Sequence, residues 1–253
     1  MPNPAAQYKS KLDARSLRPD PLQAAAIQSL QRLHDDILAQ KPQKNWLEKV
    51  AGRKKKNSDF IKGIYLYGGV GRGKSMLMDL FYASLPEDLK KTRVHFHAFM
   101  IDVHNYLHER RMLDDFGEGV DGALPSLAAR LSERSRILCF DEFHVTDVAD
   151  AMILGRLFTA LFDRGVIIVA TSNWPPERLY EGGLQRDRFL PFIDLLKRRL
   201  EIIHLDGPTD YRTQFLQEEG TYFFPLGDAT RKKADDLFAH LTDGALAQSE
   251  TLT

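Results

Sequence analysis

A single cysteine, no surplus of either charge and no long apolar run remove several classes of protein before any motif is read. Cys139 stands alone, so no internal disulfide can form, and the chain suits a reducing compartment. Basic and acidic residues number 35 each, so no global field draws the chain to nucleic acid or to an anionic membrane. No apolar stretch approaches the roughly 20 residues of a membrane-spanning helix. The opening MPNPAAQYKSKLDARSLRPD lacks the apolar centre of a secretory signal and has few arginines for a transit peptide. The cytoplasm is the expected location, with peripheral membrane association left open. Internal repeats and low-complexity tracts are missing too.

What is present is a chain of 253 residues, 43% hydrophobic and 28% charged, enough for one or two domains of an ordinary globular enzyme. Residues 1–20 are polar and proline-containing, and are expected to be poorly ordered. From Pro21 to Ala39, apolar residues recur at helical spacing. A further helical piece is expected near Trp46–Val50, followed by the basic run Arg53–Lys56, which reads as a solvated turn or, alternatively, as a phosphate-backbone contact. Then the chain alternates. Strands are expected at Ile64–Tyr67, Val94–Met100, Arg136–Phe140, Val166–Ser172 and Glu201–Leu205. Helices are expected at Ser75–Ala83, Ile101–Met112, Leu124–Glu133 and Ala149–Asp163, with LDDFGEGVDG as a loop. Such alternation predicts an α/β fold, a parallel sheet with helices on both faces.

Gly68-Gly69-Val70-Gly71-Arg72-Gly73-Lys74-Ser75 matches G-x-x-x-x-G-K-[ST] in full, between an expected strand and an expected helix. Glycines let backbone N–H groups curl around phosphate oxygens, and the helix N-terminus adds its positive dipole end. The nucleotide-binding set therefore runs from Gly68 to Met76. Lys74 is expected on the β/γ-phosphates of ATP and the Ser75 hydroxyl on Mg²⁺.

A second strand, Ile137 to Phe140, releases Asp141 and Glu142 at its carboxyl end, where ligands of open α/β sheets sit. Asp141 is the expected second metal ligand, through water, and Glu142 the general base that orients the attacking water. Val166–Ser172 ends in Asn173, the best candidate for a γ-phosphate sensor, ahead of Thr171 and Ser172. LQRDRFLPFIDLLKRRL offers Arg186, Arg188, Arg198 and Arg199 as positive charge for a neighbouring subunit's γ-phosphate. For any one of them a local salt bridge is the plainer reading.

His95, His97 and His104 invite a metal reading, since 95 and 97 share a face of a strand. Structural or substrate-coupling histidines are the simpler account, as the phosphate loop already supplies a metal site. Cys139 reads as a small core residue, and Trp174 as part of the sensor turn or as a partner contact.

The order of these motifs resembles the AAA+ ATPases. The runs YLYGGVGRGKSMLMDLFY, VHFHAFMIDVH, DEFHVTDVADAMIL, VATSNWPPERLYEGGLQRDRFLPFID and DGPTDYR are more specific. Over roughly Arg18 to Arg212 they resemble the AFG1-like ATPase family, whose bacterial members are cell-division ATPases. The resemblance implies an AAA+ P-loop NTPase core at 61–206, an N-terminal helical extension at 1–60, and at 207–253 the start of a C-terminal lid, expected to be truncated at Thr253. It places Lys74, Glu142, Asn173 and Arg186 in catalytic roles, Arg186 being preferred because it lies in the family's GLQR segment. It also implies ATP and Mg²⁺ as cofactors and a protein partner, the tubulin-like division-ring polymer, with nucleotide-dependent self-association. Alternatives are a nucleotide-gated adaptor that binds ATP without efficient turnover, or a helicase-loader-like protein, against which the neutral charge argues.

Overall fold

Five short strands, β1 (Gly63–Tyr67), β2 (Lys91–His95), β3 (Ile137–Asp141), β4 (Ile167–Ser172) and β5 (Leu200–His204), form one sheet in the order β2-β3-β4-β1-β5. Every neighbouring pair is parallel. These facts come from a computed structural model, which describes residues 2–40, 60–112, 120–206, 231–232 and 235–236. The expected helix at Trp46–Val50 and the basic run Arg53–Lys56 lie outside the described residues.

The chain divides into two compact units, Met1–Gly207 and Pro208–Thr253. In the second, the described residues 231–232 and 235–236 are helical. The first holds the sheet and α1 (Pro4–Asp13), α2 (Pro21–Ala39), α3 (Lys74–Ser84), α4 (Phe96–Met112), α5 (Val120–Arg134), α6 (Val148–Asp163) and α7 (Leu190–Arg199). Among the described residues no helix is long and apolar enough to cross a membrane.

The strands are buried on both faces, and their alternate side chains sort into two apolar clusters. Ile64, Leu66, Ile137, Cys139, Ile167 and Val169 face α1, α2 and α3. Tyr65, Leu138, Phe140, Ile168 and Ala170 face α4 to α7. Helices thus cover both faces, as the alternation of the sequence predicts. Each large side chain fully removed from water contributes about 1.5–3 kcal/mol.

Helix starts follow local chemistry. Asp20 caps α2 by accepting from Leu22 N at 2.7 Å and Gln23 N at 3.1 Å, with Pro21 in the first turn. Asp147 caps α6 through Ala149 N at 2.7 Å.

Four sequence expectations need correction. Residues 1–20 are not without order: Asn3 caps α1 by accepting from Ala6 N, Pro4 occupies its first turn, and Tyr8 is buried. The strand expected at Val94–Met100 ends at His95 and the chain turns helical at Phe96, five residues before the expected Ile101. His95 and His97 therefore do not share a strand face, and His104 pairs with Asp150 at 2.6 Å. Of the loop expected at 113–122, residues 120–122 already belong to α5, while 113–119 lie outside the described residues.

Candidate functional site

β1 delivers the glycine-rich loop at the carboxyl end of the sheet, and α3 leaves it. A Cβ on Gly68 would lie 2.1 Å from the carbonyl oxygen of Leu205, the residue after β5, so the backbone there passes too close for any other residue. Gly73 has φ +81°, in the left-handed region, and a Cβ there would meet the Gln23 amide at 2.8 Å. Gln23, at the start of α2, donates from Nε2 to the Arg72 carbonyl at 3.1 Å, so the N-terminal helix props the loop from behind. Lys74 Nζ donates to the carbonyls of Gly68 at 2.8 Å and Gly69 at 2.7 Å, and to Asn173 Oδ1 at 3.0 Å. The Met76 side chain packs down on the core, whereas Ser75 is exposed.

Asp141 ends β3 and is buried, with 6% of its surface exposed. Arg93, on β2, donates to it twice, Nε to Oδ2 at 2.7 Å and Nη2 to Oδ1 at 3.3 Å. Glu142 follows, its side chain exposed and its backbone at φ +55°, a conformation that costs a non-glycine residue about 1–2 kcal/mol. Its N–H donates to Thr171 Oγ1 at 3.2 Å. Phe143 then plugs into the core against Phe96, ring centroids 4.1 Å apart, and its N–H donates to the Thr171 carbonyl at 2.7 Å. Glu142 is therefore held up between two fixed neighbours.

β4 lies between the loop strand and the acid strand. Its three polar candidates separate by their bonds. Thr171 braces Glu142. The Ser172 hydroxyl donates to the Phe143 carbonyl at 2.6 Å and accepts from Trp174 N at 3.1 Å. Asn173 reaches Lys74. Behind the turn, Tyr65 donates its hydroxyl to the Trp174 carbonyl at 2.9 Å, and burial pushes that phenol well up.

The arginines divide by sheet edge. α7 runs from the loop edge back to the start of β5, so Arg198 and Arg199 lie at the opposite end from the loop. Arg199 stacks on Phe60 at 4.3 Å and pairs with Asp163 at 3.6 Å. Arg186 and Arg188 precede α7, in the turn Arg186–Arg188. Arg186 is half-buried and donates from Nη2 to the Glu177 carbonyl; Arg188 is exposed. A hydrogen bond from Lys197 holds the Glu177 carboxyl below the usual range.

The donors fit a nucleotide. Arg72 Nε and Nη1 are buried without a partner among the described residues, and phosphate oxygens are the acceptors such N–H groups lack. For a metal, the oxygens available are the Ser75 hydroxyl and the Asp141 carboxylate, a donor set suited to Mg²⁺ arriving with substrate phosphates. No cluster of three or more His, Cys, Asp or Glu able to hold an ion occurs among the described residues.

Arg93, Asp79 and Gln23 were not legible as site residues from the sequence. Only Asp79 left a local signal, one helical turn after Ser75; the other two depend on sheet order and on the docking of α2.

A model of the AFG1-like ATPase family matches residues 2–253. Cell division protein ZapE of Escherichia coli (strain K12) is 40% identical over 257 residues, covering 98% of this chain and 66% of that protein. The chain thus spans about two thirds of that relative's length. Domain III of the Thermotoga maritima replication initiation protein DnaA superposes with a TM-score of 0.51 at 17% identity, over 92% of this chain and 90% of that one. The replication initiator DnaA solved with AMPPCP and single-stranded DNA gives 0.52 at 12% identity, over 91% and 65%. At such identities the likeness is one of fold: an AAA+ P-loop core.

Proposed function

Because the chain belongs to the AFG1-like ATPase family, we propose that it binds and hydrolyses Mg-ATP and uses the turnover to remodel a protein partner. The observation that carries this reading is the meeting of Lys74 and Asn173 over the glycine loop, with Asp141 and Glu142 at the same edge of the sheet. The backbone from Gly68 to Met76 wraps the phosphates, and Lys74 exchanges its loop carbonyls for β/γ-phosphate oxygens. Arg72 offers its unpaired N–H groups to the same oxygens. Ser75 and Asp141 would hold Mg²⁺, which neutralises charge on the β- and γ-phosphates. Glu142 orients the water and takes its proton; Asn173 turns its amide toward the γ-phosphate. Arg186 comes from a neighbouring copy of the chain.

Carrying over the relative's role in cell division, we assign the partner as the tubulin-like division-ring polymer and the location as the cytoplasm. Residues 1–60 serve as an N-terminal extension, 61–206 as the ATPase core, and 207–253 as a C-terminal region. Phosphate release from wild type, Lys74→Ala and Glu142→Gln tests the enzyme reading. Losses of about 10²–10⁴-fold are expected for Glu142→Gln; equal rates in all three sink it.

A second reading, a nucleotide-gated adaptor, draws on the Lys74–Asn173 bond, which phosphate binding would break. It requires partner binding that depends on nucleotide and survives Glu142→Gln.

A further inference from the structure

Arg93 sits outside the phosphate loop, the acid pair and the sensor turn, yet it touches two of the elements that carry them. From β2 it donates twice to the Asp141 carboxylate, at 2.7 and 3.3 Å, and from Nη1 it donates to Asp79 Oδ1 on α3. Asp79 lies one helical turn beyond Ser75, and the two residues share the exposed face of α3, while Leu77, Met78, Leu80 and Phe81 point into the core.

We infer that Arg93 is a positioning residue for the metal site, fixing the separation between the Ser75 hydroxyl and the Asp141 carboxylate. The inference rests on the Mg-ATP reading above. One guanidinium grips the carboxylate of the second strand directly and the hydroxyl-bearing helix through Asp79. A planar fork that engages two carboxylates at once transmits geometry as well as charge, which an ammonium cannot do. Its grip does not consume Asp141. Each carboxylate oxygen accepts one N–H from Arg93 and retains a second lone pair for a cation's shell. The positive charge also offsets the concentration of acids, Asp79, Asp141 and Glu142, before any cation arrives. Arg93 thus stands behind Asp141 as outer-shell partners stand behind metal ligands, where mutation typically costs about 10- to 100-fold in metal affinity.

The test is binding of a fluorescently labelled ATP to the full chain, titrated with MgCl₂, for wild type, Arg93→Lys, Arg93→Met, Asp79→Asn and Lys74→Ala. In Arg93→Met the Mg²⁺ midpoint should rise about 10- to 100-fold while metal-free nucleotide binding is unchanged. Arg93→Lys should recover part of the shift, and Asp79→Asn should show a smaller shift in the same direction. A wild-type midpoint in Arg93→Met overturns the inference and leaves the ATP site standing. If that variant does not fold, wild-type midpoints in both Arg93→Lys and Asp79→Asn overturn it equally. Wild-type binding that ignores Mg²⁺ removes the metal-site reading, and Lys74→Ala binding as tightly as wild type removes the ATP-site reading; either takes the inference with it.

Discussion

Lys74 Nζ and Asn173 Oδ1, 99 residues apart in the chain, meet at 3.0 Å across the top of the sheet. The contact exists because β4 inserts beside β1, with Tyr67 in register with Ser172, so the residue after each strand falls at the same height. Two loop carbonyls complete the cradle around the ammonium. A nucleotide bound as proposed would draw Lys74 from this cradle, and Asn173 would be the first residue outside the loop to feel it.

If the two residues act as a unit, their effects on turnover will not add. Asn173→Ala should lower phosphate release by about 10²-fold, the loss typical of one preorganised polar group, with little change in nucleotide affinity. Lys74→Ala should remove binding, and the double variant should be no worse than Lys74→Ala. Additive losses in nucleotide titration and phosphate release would make them independent.

Glu142 holds its carboxylate out on a backbone that a glycine would adopt freely, at φ +55°. Glu142→Gly relieves about 1–2 kcal/mol of strain. The added freedom of the unfolded chain takes back about 0.5–1 kcal/mol. The net gain, centred on about 0.75 kcal/mol and at most about 1.5, should raise the melting temperature by about 2–3 °C and at most about 6 °C. Glu142→Gln keeps the strain and should melt like wild type. Both should lose turnover, so calorimetry beside phosphate release separates strain from chemistry. A Glu142→Gly protein that melts no higher than wild type would show that the strain is not stored there.

The glycine loop's place between a strand and a helix was legible because its determinants are local: glycines and a lysine at fixed offsets after an apolar run. Asp141 and Glu142 were legible for a similar reason, an apolar run that ends in two acids. The boundary at His95 and Phe96 was not, because VHFHAFM alternates His95 and His97 with apolar residues as a strand would, and no Ser, Thr, Asp or Asn cap marks the helix start. α1 left its signal in the pair Asn3-Pro4, a cap followed by proline, overshadowed by the polarity around it. The Arg93 bridge had no sequence signature, since it joins three elements whose adjacency is set by the strand order.

Close approach distinguishes neighbouring glycines of the loop. Gly68→Ala would place a methyl 2.1 Å from the Leu205 carbonyl, and backbone cannot give way as a side chain can. At Gly69 the nearest atom is the Arg72 Nε at 3.5 Å, an ordinary contact. Gly68→Ala should lose about 2 kcal/mol or more in urea unfolding, and Gly69→Ala about 0.5 or less. Equal losses would mean that β5 can move aside.

Burial raises the Cys139 thiol from its ordinary value of 9.0 to about 12. Between those values the unfolded chain releases a proton that the folded chain keeps. The folded state therefore binds more protons, and its stability falls as pH rises, by at most about 1.4 kcal/mol per pH unit from this group. Burial of Tyr65 acts in the same direction at higher pH. In urea unfolding at pH 8, 9 and 10, Cys139→Ala should start less stable than wild type and the gap should narrow above pH 9. Parallel curves would show that the thiol does not titrate on unfolding in that window.

The loop end of the sheet leaves Arg186 and Arg188 for a neighbouring site, because Arg199 is committed to Phe60, Phe162 and Asp163 at the other end, and Arg186, in the GLQR segment, is the first to test. Its Nε is buried without a partner among the described residues, and its Nη2 holds only the Glu177 carbonyl of its own segment. A guanidinium in that state has donors to offer. If it serves a neighbouring copy, Arg186→Ala and Glu142→Gln subunits are each inactive alone but complementary, since one retains the acids and the other the arginine. Mixing them should restore phosphate release, whereas Arg186→Ala alone should fall by about 10³-fold or more. Mass in solution should rise with ATP in the same preparations. A monomer with and without nucleotide, or mixtures no more active than their parts, would leave Arg186 a local structural residue.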